Sequence, residues 1–280
     1  MNQFSPTDGL QTIADIARGS TRMIAITGAG CSTPSGIGDY RDRDGQWKRA
    51  APVQHQDFMN SLNWRKRYWA RSQVGYPEFC KARPNPAHRA LAQMESLGRL
   101  AGVITQNVDG LHQAAGQHNV IDLHGRLDQV VCMACGQKTS RETIQDFLEA
   151  RNAPMDAQLV GLAPDGDADL SATQFDHVVV PQCRDCGGLL KPGVVFYGDS
   201  VAKPVVELAY QWVDNADLLL IVGSSLMVYS SFRFVRRAHE RQIPIVAIND
   251  GKTRADEMIR AKAQGDCAVL LPQLAQLLQS

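Results

Sequence analysis

The chain has 280 residues, of which 44% are apolar and 21% are charged, a composition that is ordinary for one large globular domain or two modest ones. Its 29 basic and 29 acidic residues give a formal net charge of zero, which argues against nucleic-acid binding because such proteins carry an excess of basic residues. No apolar run approaches the roughly 18–20 residues that span a membrane, and the N-terminal segment resembles neither a secretory signal nor a transit peptide. We therefore expect a cytoplasmic monomer that binds neither nucleic acid nor membrane.

The first part of the chain alternates predicted helices and strands. A helix is predicted over 10–18, and the apolar run 22–27 predicts a strand that ends in the glycine turn Gly28-Ala29-Gly30. Residues 42–89 contain three of the four tryptophans and four prolines, and they predict a helical insertion rather than part of a sheet. A further helix is predicted over 86–97, and a second strand over 100–105.

The second part of the chain contains a predicted inserted module and more strands. The module lies between Cys132 and Cys186, and its acidic stretch 163–167 is predicted to be an exposed loop. The near-continuous apolar runs 217–222 and 243–248 are typical of parallel strands that are buried on both faces. Strands that alternate with helices and end in turns of Gly, Ser, Asn or Asp favour an α/β fold, a Rossmann-like doubly wound parallel sheet. In such a fold, ligands bind at the carboxyl ends of the strands.

The glycine turn after the first strand is placed as in dinucleotide-binding folds. Glycines at 28 and 30 would let the backbone approach a pyrophosphate, and the amides that follow would donate to it. The usual third glycine is missing, since position 33 is Thr. The second strand ends in Thr105-Gln106 rather than in the acidic residue that holds the adenosine ribose in dehydrogenases. The motif alone therefore leaves open a glycine turn without a ligand.

Four of the seven cysteines form two C-x-x-C pairs, each followed by glycine. This is the knuckle pattern of a zinc ribbon, in which four thiolates close a tetrahedral site, so we predict one structural Zn²⁺ without a reactive water. Two unrelated surface pairs, or a redox pair, are the alternative. The predicted metal ligands are Cys132, Cys135, Cys183 and Cys186. The predicted domains are the Rossmann-like domain (1–41, 90–127 and 191–280), the helical insertion (42–89) and the zinc-binding module (128–190).

His124 lies between polar residues and the first cysteine pair. The apolar run 120–123 would deliver its side chain to a strand end, and Gly125 follows directly. Imidazole suits general base work near neutral pH. Asn107 and Asp109 are two residues apart, so on an extended segment both side chains point the same way and suit ribose hydroxyls. From spacing alone, a buried core histidine remains the alternative to a catalytic site.

Taken together, the motifs resemble those of the sirtuin family of NAD-dependent protein deacylases. The resemblance runs from about residue 13 to residue 271, with the motifs in the family's order. They are GAGCS-x-x-SGIGDYR at 28–41, TQNVDGLH at 105–112, LHG at 123–125, the two C-x-x-C pairs, KPGVVFYGD at 191–199, GSSL at 223–226 and the turn at Asn249.

Further motifs resemble the class II branch, the group of the mitochondrial sirtuin 4. They are DYR at 39–41, RYWAR at 67–71, PNPAH at 84–88, GLAPDGD at 161–167 and LKPGVVFYGD at 190–199. Two positions depart from the family's pattern. Gly38 stands where the family usually has Pro, which loosens the backbone of the cofactor loop, and Cys31 stands where an aliphatic residue is usual. We expect neither departure to abolish activity.

The resemblance implies that NAD is a consumed co-substrate rather than a hydride carrier. The acyl oxygen of a modified lysine would attack the ribose carbon as nicotinamide leaves, and the products would be nicotinamide, free lysine and O-acyl-ADP-ribose. His124 would be the general base, and Asn107 and Asp109 would complete the catalytic site. The implied cofactor-binding residues are Gly28, Ala29, Gly30, Ser32, Asp39, Tyr40, Arg41, Gln106, Asn107, Asp109, Gly223, Ser224, Ser225, Asn249, Asp250 and Cys267.

The resemblance also implies that an acyl-lysine peptide lies between the segments 193–197 and 226–229. Pairing through the backbone depends little on the peptide's side chains, so we expect broad tolerance of peptide sequence. The implied contacts are Val194, Val195, Phe196, Tyr197 and Leu226. Tyr68 and Arg71 lie one helical turn apart, and in sirtuins that remove succinyl or glutaryl groups such a pair reaches the acyl carboxylate. The hypothesis is a preference for bulky or carboxylated acyl groups over acetyl; the alternative is that Tyr68 packs the insertion and Arg71 is solvated.

Three other functions compete with deacylation. Mono-ADP-ribosyl transfer to protein would use the same cleavage of nicotinamide. A non-catalytic sensor of NAD or ADP-ribose would use the zinc ribbon for partner binding, but the joint presence of His124, Asn107 and Asp109 argues against it. A nucleic-acid binder is disfavoured by the zero net charge.

Overall fold

A six-stranded parallel sheet forms the centre of the computed structural model, which describes residues 6–40, 42–44, 46–48, 52–152, 159–170 and 175–279. In chain order the helices and strands are α1 (Pro6–Arg18), β1 (Met23–Thr27), α2 (His55–Asn60), α3 (Leu62–Phe79), α4 (Pro86–Ser96), β2 (Gly102–Thr105), α5 (Leu111–Ala114), β3 (Val120–Asp122), β4 (Gly125–Cys132), β5 (Lys138–Ser140), α6 (Arg141–Arg151), β6 (Leu159–Leu162), β7 (Ala168–Leu170), β8 (Leu190–Val194), α7 (Lys203–Asp214), β9 (Leu218–Val222), α8 (Tyr229–Glu240), β10 (Ile245–Ile248), β11 (Ala261–Ala263) and α9 (Cys267–Leu277).

The strand order of the large sheet is β11-β10-β9-β1-β2-β3, and every neighbouring pair is parallel. This is the strand order of dinucleotide-binding folds, in which the chain starts at the centre, builds one half outward and returns to build the other. The order reverses between β1 and β9, so the loops that follow these two strands diverge and leave a crevice at the carboxyl edge of the sheet.

Helices cover both faces of the sheet, because alternate side chains of each strand point to opposite faces. On one face, Ala25 and Val103 pack in a buried core with α1, α4 and α9. On the other face, Ile24 and Ile104 pack in a second core with α7 and α8. Every residue of β1 and β9 is buried, which accounts for their continuous apolar sequences.

A smaller body carries the cysteines and packs beside the crevice. Strands β5, β4 and β8 form an antiparallel three-stranded sheet, and β6 and β7 form a separate hairpin. Helices α2, α3 and α6 share a third core with β4 and β8, centred on Phe58, Trp69 and Leu148. Trp69 is fully buried, so the tryptophan-rich insertion is anchored by apolar packing.

The predicted fold class is confirmed: a doubly wound parallel sheet stands beside a smaller cysteine-bearing module and a helical insertion. One local prediction is wrong. Residues 163–167 are not an exposed loop but the turn between β6 and β7, where Ala163 and Asp167 are only 9% and 6% exposed. Acidic and glycine residues favour exposed turns, but here Asp165 and Asp167 contact Tyr40 and Arg71 in the interior. Within the described residues, no helix combines the length and apolar character that a membrane crossing requires.

Candidate active site

A cavity of about 1160 Å³ opens at the crevice between β1 and β9. This volume exceeds the usual range for a pocket that holds one small molecule, so the cavity has room for two ligands. It gathers His124 and every described residue predicted to bind the cofactor: Gly28, Ala29, Gly30, Ser32, Asp39, Tyr40, Gln106, Asn107, Asp109, Gly223, Ser224, Ser225, Asn249, Asp250 and Cys267. Arg41 lies outside the described residues.

Two glycine turns meet at the floor of the cavity, one after β1 and one after β9. The Gly28 amide donates to the Val222 carbonyl at 3.1 Å, and the Gly30 amide donates to the Gly223 carbonyl at 2.9 Å. A Cβ on Gly30 would lie 2.9 Å from that carbonyl oxygen, and one on Gly223, which has a φ of +55°, would lie 2.4 Å from the Cys31 nitrogen. The two turns therefore need glycine to approach each other. The exposed backbone between them suits a pyrophosphate.

The polar residues after β2 form one hydrogen-bonded group around Ser32. Asn107 Nδ2 donates to the Ser32 hydroxyl at 2.9 Å and to the Gly28 carbonyl at 3.0 Å. The Ser32 hydroxyl in turn donates to Asp109 Oδ2 at 2.6 Å, and the Leu111 amide donates to Asp109 Oδ1 at 2.8 Å. Burial raises the pKa of Asp109, although these donors oppose the shift. The group holds an amide and a carboxylate beside the glycine turn, as ribose recognition requires.

His124 is held in the tautomer that a general base needs. Its Nδ1 lies 3.0 Å from the Gln106 carbonyl oxygen, which can only accept, so Nδ1 carries the proton. Nε2 is therefore the basic nitrogen, and it lies 2.8 Å from the Ser230 hydroxyl. Burial lowers the pKa of His124 below its usual 6.5, with the Gln106 carbonyl opposing the shift. The imidazole is consequently neutral and ready to accept a proton at neutral pH.

Two serines at the start of α8 contact this site and were missed in the sequence. Besides the bond from Ser230 to His124, the Ser231 hydroxyl donates to Gln106 Oε1 at 2.9 Å. Gln106 Nε2 also donates to the Ser224 hydroxyl at 2.7 Å. Gln106 thus joins the β2 and β9 sides of the cavity. A Ser-Ser pair that begins seven residues after Gly223 carries no pattern that points to this contact, since only the packing of α8 creates it.

The residues predicted near the adenosine end lie where β10 and α9 meet the cavity. Asn249 Nδ2 donates to the Gly251 carbonyl at 2.9 Å, and the Cys267 thiol lies 3.7 Å from the Ile248 carbonyl. Asp250 pairs with Arg43 at 2.9 Å. Asp39, on the opposite wall, pairs with Lys48 at 2.6 Å.

The predicted peptide segments line the cavity in part. Val194, Val195, Phe196 and Tyr197 lie in its wall. The Val195 amide donates to the His124 carbonyl at 2.8 Å, so this segment and the candidate base are tied together. Leu226 is buried and is outside the set of described residues that line the cavity. Its φ of +56° is a strained conformation for a branched residue, of the kind that clusters at functional sites.

Tyr68 and Arg71, the predicted acyl-binding pair, are also outside the set of described residues that line the cavity. Tyr68 is 2% exposed, and its ring centroid lies 5.3 Å from that of Phe196, so it packs directly behind the cavity wall. Arg71 Nε lies 2.9 Å from Asp167 Oδ1 and donates to the Ala168 carbonyl at 2.6 Å. The role of this pair stays a prediction. Tyr68 packs on Phe58 and Trp69 of the insertion, as the alternative expects, whereas Arg71 is largely buried rather than solvated.

The four predicted metal ligands come together at the tips of two knuckles. Their sulfur atoms all lie within 4.8 Å of one another, with Cys132 and Cys186 3.5 Å apart and Cys135 and Cys183 3.8 Å apart.

The glycines that follow the cysteines shape this cluster. Gly136 and Gly187 have positive φ values of 75° and 70°, and their amides donate to the Cys132 and Cys183 carbonyls at 2.9 Å. A Cβ at Gly188 would lie 2.9 Å from the Cys132 sulfur, so the third glycine leaves room for the sulfurs. A closed set of four thiolates in this arrangement is consistent with a structural zinc.

Two buried histidines behind the glycine turn predict a loss of stability in acid. His88 and His112 are fully buried with ring centroids 4.9 Å apart, and burial lowers their pKa values to about 4 and about 3. In the unfolded chain both titrate near 6.5, so below that pH the unfolded state binds protons that the folded state does not. The free energy of unfolding should therefore fall by about 1.4 kcal/mol per histidine for each pH unit between about pH 6.5 and 5.

Urea unfolding at pH 7.5, 6.5, 5.75 and 5.0 measures this slope. His112→Asn should reduce the slope by about 1.4 kcal/mol per pH unit, whereas the exposed His239→Asn should leave it unchanged. A free energy of unfolding that stays constant from pH 6.5 to 5.0 in the unsubstituted chain would contradict the prediction.

Comparison with known proteins finds one family over most of the chain. The family model described as Sir2 family matches residues 28–230. The chain is 53% identical over 261 residues to NAD-dependent protein deacetylase 2 of Bradyrhizobium diazoefficiens, covering 93% of this chain and 96% of that protein. It is 47% identical over 256 residues to the human mitochondrial NAD-dependent protein lipoamidase sirtuin-4, covering 90% of this chain and 82% of that protein. A solved complex of Sir2 with a p53 peptide and NAD⁺ aligns with a TM-score of 0.76 at 27% identity, covering 95% of this chain and 97% of the other.

Proposed function

This chain belongs to the Sir2 family, and on that premise we propose that it is an NAD-dependent protein-lysine deacylase that releases nicotinamide and O-acyl-ADP-ribose. The observation that carries the proposal is the position of His124, whose basic Nε2 opens into the same cavity as the two glycine turns and the Asn107–Asp109 group. Relatives that are 50–53% identical over most of the chain are named NAD-dependent protein deacetylases, which supports this reaction.

Each group of the site has a part in the proposed reaction. When bound, NAD supplies an activated ribose carbon with nicotinamide as its leaving group. The backbone around Gly28 and Gly223 would hold the pyrophosphate, and Asn107 and Asp109 would orient the ribose. His124 Nε2 would accept the proton of a ribose hydroxyl, while the Gln106 carbonyl keeps Nδ1 protonated and fixes the ring. The zinc module would take no chemical step, because its four thiolates leave no open coordination position.

The substrates we propose are acyl-lysine side chains of proteins, held against the segment 193–197. The solved complex of Sir2 with a p53 peptide supports a protein or peptide substrate. Identity to human sirtuin-4 supports the class II branch. A cytoplasmic location, a monomeric state and the lack of nucleic-acid or membrane partners stay predictions from the sequence.

Mass spectrometry of the products tests the proposal. Purified protein, NAD and an acetyl-lysine peptide should yield nicotinamide, O-acetyl-ADP-ribose and the deacetylated peptide with its free lysine, in equal amounts. Nicotinamide release with ADP-ribose attached to protein, and an intact acetyl group, would instead indicate an ADP-ribosyltransferase. No consumption of NAD with any acyl peptide would favour a sensor of NAD or ADP-ribose.

A further inference from the structure

The turn between β6 and β7, residues 163–168, reaches the wall of the active-site cavity; we refer to it as the hairpin turn. The Ala163 amide donates to the Asp167 carbonyl, and the Gly166 amide to the Ala163 carbonyl, both at 2.9 Å. Gly166 has a φ of +74°, and a Cβ there would lie 2.5 Å from Leu127 Cδ2. The turn is therefore packed tightly against the core, and its acidic side chains have defined positions.

One acidic side chain of the hairpin turn faces the cavity. Pro164 and Asp165 line the cavity, and the Asp165 carboxylate accepts a hydrogen bond from the Tyr40 hydroxyl. The Tyr40 ring lies 6.2 Å, centroid to centroid, from that of Tyr197 in the proposed peptide segment. The Asp165 carboxylate thus stands in the wall beside the place where the acyl-lysine would enter.

The other acidic side chain of the hairpin turn pairs with the arginine of the Y-x-x-R motif. Arg71 Nε lies 2.9 Å from Asp167 Oδ1, and the two side chains are only 14% and 7% exposed. Arg71 also donates to the Ala168 carbonyl of the same turn. A guanidinium in this position has its charge offset by a buried carboxylate before any ligand arrives.

Two other buried basic groups near this wall, Arg141 and Lys191, are outside the set of described residues that line the cavity. Arg141 is buried beyond Tyr68, donates to the Ser72 carbonyl and hydroxyl, and stacks on the Tyr76 ring at 4.3 Å. Lys191 pairs with Asp199 at 3.4 Å. Of the three charged side chains that the structure describes at the hairpin turn, two are acidic and one is basic. Even with Asp165 protonated, their sum is zero and not positive.

We propose that the hairpin turn makes this enzyme select neutral acyl groups over acyl groups that end in a carboxylate. Asp167 offsets the charge of Arg71, and Asp165 adds no positive charge to the cavity wall, so a carboxylated acyl chain would be desolvated beside the hairpin turn without a net positive charge there to compensate. The inference rests on the deacylase function proposed above and names its acyl class. It reverses the preference that the Tyr68–Arg71 spacing suggests in the sequence.

The first test compares butyryl-lysine with succinyl-lysine on one peptide in the unsubstituted enzyme. The two acyl chains have the same number of carbons and differ in the terminal carboxylate. We expect kcat/KM for butyryl to exceed that for succinyl by at least about tenfold, since the succinyl carboxylate is desolvated beside a hairpin turn that carries no net positive charge. A succinyl value equal to or above the butyryl value would overturn the inference while leaving the deacylase function intact. No turnover of butyryl, acetyl or succinyl peptides would instead count against the deacylase function.

The second test asks whether the Arg71 charge is masked. Asp167→Asn should raise the succinyl-to-butyryl ratio of kcat/KM about tenfold, and adding Arg71→Met to that variant should remove the gain. Glu142→Gln, an exposed change of the same charge in the same module, is the matched control and should not alter the ratio.

The double variant Arg71→Met/Asp167→Leu keeps the test decisive if Asp167→Asn by itself fails to fold. It removes both charges of a neutral pair, so it should leave the succinyl-to-butyryl ratio of kcat/KM unchanged. A marked fall of this ratio in the double variant would show that Arg71 serves as a cation for the acyl carboxylate, and it would overturn the inference.

Discussion

His124→Asn should lower kcat for formation of O-acyl-ADP-ribose by about 100- to 10,000-fold, the range that a positioned general base contributes. Asn keeps a hydrogen-bonding side chain near the Gln106 carbonyl and the Ser230 hydroxyl but offers no basic nitrogen. The glycine turns and the Asn107–Asp109 group remain in place, so the affinity for NAD should change much less than kcat. Steady-state kinetics give kcat, and calorimetry gives the affinity for NAD in a separate measurement.

His239→Asn is the matched control for this variant, because His239 is an exposed histidine near the end of α8. It should retain full activity. If His124→Asn kept more than about a tenth of the original kcat with unchanged NAD affinity, His124 would be a positioning residue and another group would accept the proton.

Cys183→Ser should release the zinc, lower the melting temperature by roughly 10 °C or more, and abolish activity. The free energy of binding a structural zinc is free energy of folding, and a loss of several kcal/mol produces a shift of this size. Activity should fall with it for a geometric reason. Strand β4 begins directly after His124 and ends at Cys132, and β8 pairs with β4 and runs into the proposed peptide segment. Loss of the zinc knuckles would therefore disturb the positions of His124 and of the proposed peptide segment 193–197 together.

Elemental analysis should find one zinc per chain in the unsubstituted protein and none in Cys183→Ser, with melting followed by circular dichroism. Cys80→Ser, which changes an exposed cysteine outside the cluster, should keep the zinc and the melting temperature. A purified active protein without zinc, or a Cys183→Ser variant with unchanged stability, would contradict a structural role for the metal.

Much of the site could be predicted from the sequence because its residues lie directly after the carboxyl ends of strands. Buried parallel strands are continuous apolar runs, so their ends are visible as Gly28, Thr105-Gln106 and Gly223, and the fold brings these ends to one edge. The C-x-x-C pairs are visible for a different reason, since thiolates at this spacing with following glycines favour one kind of site. Ser230 and Ser231 could not be predicted, because their contacts depend on how the start of α8 meets the residues that follow β2 and β3, and not on any local pattern.

The acyl end of the cavity is where prediction from the sequence ends and the folded structure is needed. The class of fold, the cofactor turns, the cysteine pairs and a candidate base could be predicted from the sequence, because each depends on short-range spacing or on the regular geometry of a parallel sheet. The electrostatic state of Arg71 became visible only in the folded chain. That state depends on Asp167, a distant residue that a hairpin brings within 2.9 Å, and no pattern along the chain specifies which carboxylate an arginine meets when both are buried.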